Sequence, residues 1–271
     1  FLAVSGSSAT NTVSFESATG QPQDAVIQFS ANSSGSNFTM RLSNADHHRF
    51  RNLTIKAEGA TYARAVDVIN RLVDIRFEEN IIESTVTTST AAHHVGIYIS
   101  PAQSQNLLVS NNTIRNGSYG ILFAGPTSKA TGTIITGNTI DKAYYHGIDL
   151  TNQTGFILHQ NHVLNNPSAN NFRGLDISSV DGAFQITSNR ITGGNGSALF
   201  INAALSAAGN PGLIANNFFQ TNNAPSFVTV YLSYLRNINF YHNNINATGT
   251  GTAFQYSSAA GHWANGLQQL F

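Results

Sequence analysis

Two short segments carry the side chains best suited to chemistry: His146-Gly147-Ile148-Asp149 and Arg173-Gly174-Leu175-Asp176. Each ends in a carboxylate, and each sets a basic side chain immediately before its glycine. If the segments lie side by side, Asp149 and Asp176 are neighbours, and carboxylates that close repel. One of them then keeps its proton to higher pH unless a cation or Arg173 compensates. Such a pair can serve as acid and base on a glycoside, or as base and charge neutraliser on a uronate. Asp149, Asp176, His146 and Arg173 are therefore the candidate catalytic set. No metal site is assigned; the one cofactor considered is calcium between the two Asp, which would need six or more oxygens. Tyr98, Tyr144, Tyr145, Phe200 and Tyr231 supply flat amphipathic rings that suit stacking on sugar faces, and they form the candidate substrate-binding set. The same residues also have a plain structural reading, as polar and aromatic side chains tolerated on the outer face of strands.

What must position these residues is a repeat. Asn recurs at Asn80, Asn112, Asn138, Asn161, Asn189, Asn217 and Asn243, at gaps of 32, 26, 23, 28, 28 and 26 residues. Three residues before each stand Phe77, Val109, Ile135, Leu158, Ile186, Ile214 and Phe240. Two residues after each stand Ile82, Ile114, Ile140, Val163, Ile191, Phe219 and Ile245. Between the Asn positions runs a second pattern of small, apolar, variable, apolar, as in Gly96-Ile97-Tyr98-Ile99 and Gly120-Ile121-Leu122-Phe123. Period-two alternation means strand, with the variable residue outward. The outward row then reads Asp67, Tyr98, Leu122, Asp149, Asp176, Phe200, Tyr231, Gln255, with neighbours about 4.8 Å apart.

One such unit cannot bury its own apolar face, whereas stacked units share a core. An Asn at a fixed inward turn can bond both the turn backbone and the Asn of the next coil. A leucine-rich repeat fits Ile75 to Ile82. It fails at the eighth residue before each Asn, where Leu72 and Leu235 are joined by Ser104, Gln153 and Asp181. The expected fold is all-β: a right-handed, single-stranded parallel β-helix of about eight to ten coils. Its hand follows from the rule for parallel crossovers. One domain is expected over 1–271, with irregular coils at 1–64, regular coils at 65–260 and a cap or cut end at 261–271. Loops are expected at Glu83–Val95, Ala124–Gly132, Leu164–Arg173, Asn202–Gly212 and Gln220–Phe227, the second and third of them walling the Asp pair.

Composition narrows the function. Thirteen basic residues balance thirteen acidic ones, and only 10% of the chain is charged, which argues against a nucleic-acid surface. No apolar run reaches the roughly 18 residues of a spanning helix, so membrane insertion is not expected. With no Cys, disulfide and thiolate chemistry are excluded. The start at Phe1 reads as a mature or excised segment of a larger parent chain. His47-His48 and His93-His94 are read as turn or surface residues, because adjacent side chains on extended backbone point apart.

Val13-Ser14-Phe15-Glu16-Ser17-Ala18-Thr19-Gly20 and the stretch from Asn44 through His47-His48-Arg49-Phe50 to Ile55 resemble segments of very large secreted proteins of Bacteroidetes. Those are β-helix repeat proteins of the pectin-lyase-like superfamily. The resemblance implies a secreted or cell-surface location and contact with polysaccharide, and it carries over no catalytic residue. Similarity to polygalacturonases stops at His146-Gly147. Similarity to alginate epimerases stops at two Asp one coil apart with a nearby His and Tyr. The expectation is an extracellular β-helical module that interacts with carbohydrate. The alternatives are a polysaccharide lyase, epimerase or glycoside hydrolase using the Asp pair, and a passive spacer or adhesin stalk.

Overall fold

The computed structural model describes residues 4–257, and these form a parallel β-solenoid of nine coils, within the expected eight to ten. Among them there is no α-helix, only two single-turn 3-10 segments at Pro22–Asp24 and Ser34–Ser36. Each coil contributes three strand segments, one more than the minimum two expected, because the apolar residues on either side of the Asn corner form separate strands. The residues after the corner make a nine-stranded sheet running from Val26–Phe29 to Asn244–Ala247. The residues before it, and those of the small-apolar-x-apolar pattern, join in one larger sheet. They join because Ala63–Glu78 and His94–Ser110 run continuously through both.

The register sets like beside like. Ile97, Ile121, Ile148, Leu175 and Leu199 pair in one file and are wholly buried. Glycine precedes most of them for lack of space. A Cβ on Gly147 would come within 2.3 Å of a Val163 methyl across the core, and one on Gly174 within 2.1 Å of Ile191.

The Asn corners form an unbroken ladder. Asn161 is buried, and its Nδ2 donates to Ile135 O at 2.8 Å and to Asn189 Oδ1 at 3.0 Å. Its backbone N–H donates to that same Asn189 oxygen at 2.9 Å, so both lone pairs of the amide carbonyl are used. The residue before each corner is left-handed, with φ of 58° at Glu79, 53° at Gln160 and 57° at Ser188. For non-glycine residues that conformation costs on the order of 1 kcal/mol, which the ladder bonds hold in place.

The first coils are the irregular ones. Phe50 pairs with Phe77 and Ile55 with Ile82, as the alignment expects. Leu53 replaces the ladder Asn there, and only its backbone N–H reaches Asn80 Oδ1, at 3.0 Å. The edge strand Val26–Phe29 leaves Val26, Ile27 and Phe29 exposed. Two of the expected loops are shorter than read: Asn195–Leu205 and Asn170–Asp181 are strands whose ladder pairing takes the first residues of Asn202–Gly212 and the last of Leu164–Arg173. The tail 261–271 lies outside the described residues.

Candidate functional site

The outward row emerges in the register read from the sequence, extended one coil earlier by Arg41. Arg41 pairs Asp67, Asp67 pairs Tyr98, Leu122 pairs Asp149, and Asp149 pairs Asp176; Phe200, Tyr231 and Gln255 follow. His146 likewise pairs Arg173. Strict alternation would send residues three apart to opposite faces. Here each basic residue meets the carboxylate three positions on, whether glycine follows it, as at His146 and Arg173, or alanine, as at Arg64.

His146 is the centre of the site. Its Nδ1 lies 2.8 Å from Asp149 Oδ2, and its Nε2 lies 3.5 Å from Asp176 Oδ2 without a hydrogen bond. The side chain is 5% exposed, so Nε2 is a buried polar atom with no partner. Such an atom costs about 1–3 kcal/mol and asks what it is for. The ring is clamped in orientation: Tyr145 stacks on it at 4.0 Å and 20°, and Tyr119 meets it edge-on at 5.1 Å and 79°.

Arg173 Nη1 donates to Asp176 Oδ2 at 2.6 Å, and its guanidinium lies 3.6 Å over the Phe200 ring. Burial pushes the Asp176 carboxyl above its ordinary range; His146 and Arg173 oppose that shift and Asp149 adds to it. Burial also raises the Tyr119 phenol, with the charges of Asp149, Tyr145 and Asp176 pushing the same way. Three groups, His146, Asp149 and Asp176, offer ligand atoms within 4.8 Å of one another. Donors around one transition-metal ion, with bonds of about 2.0–2.2 Å, lie somewhat closer than that, within small side-chain adjustment. For calcium the set is poor: two carboxylates and a nitrogen fall short of its oxygen shell. The imidazole also stands between the two carboxylates, where a two-carboxylate hydrolase would need room for a glycosidic bond.

The structure gathers only part of the aromatic set. Tyr145 belongs to the cluster. Phe200 and Tyr231 stack at 4.9 Å and 13° beside it, over a groove of about 240 Å³ lined also by Asn171, Arg173, Ser226, Phe227 and Gln255. Tyr98 lies two coils away under Arg64, at 3.6 Å. Tyr144 packs against the hydrophobic core instead of presenting its ring. The walls differ from expectation as well. Asn171, which the structure places on the strand Asn170–Asp181, lines the groove, but Ser128 and Lys129 of Ala124–Gly132 line a separate one with Gln103 and Ser104. Lys129 is drawn there by Asp181, at 2.6 Å. Tyr119 is the residue that sequence reasoning missed. Its signal was present, since it precedes Gly120 as His146 precedes Gly147 and Arg173 precedes Gly174.

The histidine pairs are not surface residues throughout. His48 is fully buried, in line with the stacked Phe15 and Phe50 rings, and its Nδ1 bonds Asp46 O at 2.7 Å. His94 is buried too, with Nε2 on Ala60 O at 3.0 Å. In each pair one imidazole turns inward at a strand start, because the neighbouring residue takes the outward place.

Among the described residues no helix is long and apolar enough to cross a membrane. Residues 24–265 match the family model described as periplasmic copper-binding protein (NosD). No curated protein and no solved structure matches the chain.

Proposed function

The chain belongs to the NosD family, and from that premise we propose that it is an exported β-helical module that binds copper through His146 Nε2 and Asp176, with Asp149 holding the other ring nitrogen. The observation that carries this reading is the buried, unpartnered Nε2 of His146, held by Asp149 on one side and facing Asp176 on the other. An imidazole whose other nitrogen is fixed by a carboxylate is the usual form of a metal-binding histidine. The donor set favours copper(II), which suits nitrogen and oxygen ligands, over copper(I), which favours sulfur. The chain has no Cys and a single Met, Met40, which is buried in the core. Bound copper would supply a fixed positive charge and a Lewis acid; the protein supplies the clamped ring, oriented by Asp149, and the Asp176 carboxylate. Titration of the metal-free protein with Cu²⁺, followed by electron paramagnetic resonance, tests the reading. One equivalent should bind with nitrogen hyperfine from a single imidazole, and His146→Gln should lose it. An unchanged spectrum and affinity in His146→Gln would remove the site.

A second reading is polysaccharide binding on the same outer face, favoured by the stacked Phe200 and Tyr231 rings above an open groove with amide and hydroxyl lining. It would suit a module of a longer surface protein. Tyr231→Ala should abolish retention on a polysaccharide that the unsubstituted chain binds, and unaltered retention would count against it.

A further inference from the structure

The two halves of this face share one atom. Asp176 Oδ2 accepts from Arg173 Nη1 at 2.6 Å, and the same oxygen lies nearest the free Nε2 of His146, at 3.5 Å. A cation seated between Nε2 and Oδ2 competes with the guanidinium for that oxygen, because two positive groups on one carboxylate oxygen repel. Arg173 does not need to travel far. It already lies 3.6 Å over Phe200, and it lines the groove with Asn171, Ser197 and Tyr231.

We propose that copper binding arms Arg173 as an oxyanion-binding group in this groove, whose ligand is a carboxylate-bearing sugar. The inference rests on the copper reading above. Without metal, two carboxylates outweigh one guanidinium, and the cluster repels an anion. A divalent cation reverses the sign of that local charge and frees the planar fork of Arg173, which matches a carboxylate bidentately. The Phe200 and Tyr231 rings lie beside it, so the acid group and the flat face of one sugar ring are met together. Linkage requires the converse: the sugar acid must tighten copper by the same factor.

The test is calorimetric titration of the full chain with glucuronate, with and without one equivalent of Cu²⁺, occupancy being followed by electron paramagnetic resonance. Copper should tighten glucuronate by about tenfold or more and leave neutral glucose unaffected. Arg173→Gln should keep copper and lose the gain. Equal glucuronate affinity with and without bound copper would overturn the inference. So would a gain that persists in Arg173→Gln, which would place the acid on the metal itself. Failure of the unsubstituted chain to take up copper would show in the resonance arm alone, and would sink the metal reading beneath it.

Discussion

The outer face carries the same unit twice. Arg64-Ala65-Val66-Asp67 and Arg173-Gly174-Leu175-Asp176 each pair an Arg with the Asp three residues on, and each Arg lies 3.6 Å over an aromatic ring of the next coil, Tyr98 or Phe200. They differ on the preceding coil. Before Asp67 stands Arg41, whose Nε bonds Asp67 at 2.6 Å and whose guanidinium covers Phe38 at 3.9 Å. Before Asp176 stands Asp149, bonded to His146. Phe38 and His146 hold matching places, two residues ahead of the paired Met40 and Ile148. In the first unit one carboxylate is saturated by two guanidiniums and wholly buried. In the second, the guanidinium holds Asp176 alone, Asp149 is held by His146, and an imidazole nitrogen is left over. The Arg–Asp–aromatic unit is thus a structural clasp, and the site comes from what the neighbouring coil sets against it.

The swap that breaks this comparison has the largest expected effect. His146→Phe with Asp149→Arg gives the second unit the neighbours of the first. It should lower copper affinity by well over 100-fold, beyond the 10–100-fold of an outer-shell loss, while circular dichroism stays unchanged. Retained copper binding would mean that the ligands lie elsewhere. Next comes Asp67→Asn, which strips a buried partner from two guanidiniums. Both arginines can turn partly to solvent, so the loss should be about 3 kcal/mol, at the low end for a broken buried pair, read from the urea midpoint. Asp176→Asn should do the opposite, abolishing copper binding without loss of stability. Asn161→Leu probes the frame that both units share, and should cost about 1–3 kcal/mol as ladder and turn groups lose partners. No change in melting temperature there would mean that the ladder does not hold the coils.

The smallest effect concerns pH. Burial raises the Asp176 carboxyl, so above its ordinary value of 3.8 the folded state binds more protons there than the unfolded chain. That contribution to stability is present at low pH and fades as pH rises through the folded value. Asp176→Asn should therefore flatten stability across that window and raise the melting temperature slightly at neutral pH. A steeper pH dependence in the variant would contradict the assigned direction.

Much of this was legible in the sequence. Period two, the recurring Asn and the flanking apolar rows placed every outward residue from Asp67 to Gln255 on its correct neighbour, and they brought Asp149 beside Asp176. The ladder was legible for the same reason: a buried amide that recurs at each corner has few partners other than itself. What alternation could not show was the meeting of His146 with Asp149, because simple pleating puts residues three apart on opposite faces. Arg41 was hidden because Leu53 replaces the ladder Asn and blurs the first coils. The copper reading was hidden because one imidazole among nine histidines has no spacing signature, and its unpartnered nitrogen exists only in three dimensions.

Every coil advances the chain by one strand spacing, and every corner from Asn80 to Asn217 makes the same amide bonds whatever the loops beyond it. Asp67 and Asp176 stand four such steps apart, or about 19 Å at about 4.8 Å per step. The solenoid is in this sense a ruler with fixed graduations. Gain or loss of one whole coil between the two clasps, such as that of Leu122, would move them by a single graduation and leave the interior of each intact. Distance along this face can therefore change in whole steps without redesign of either end, a kind of adjustment that a globular fold of the same length does not offer.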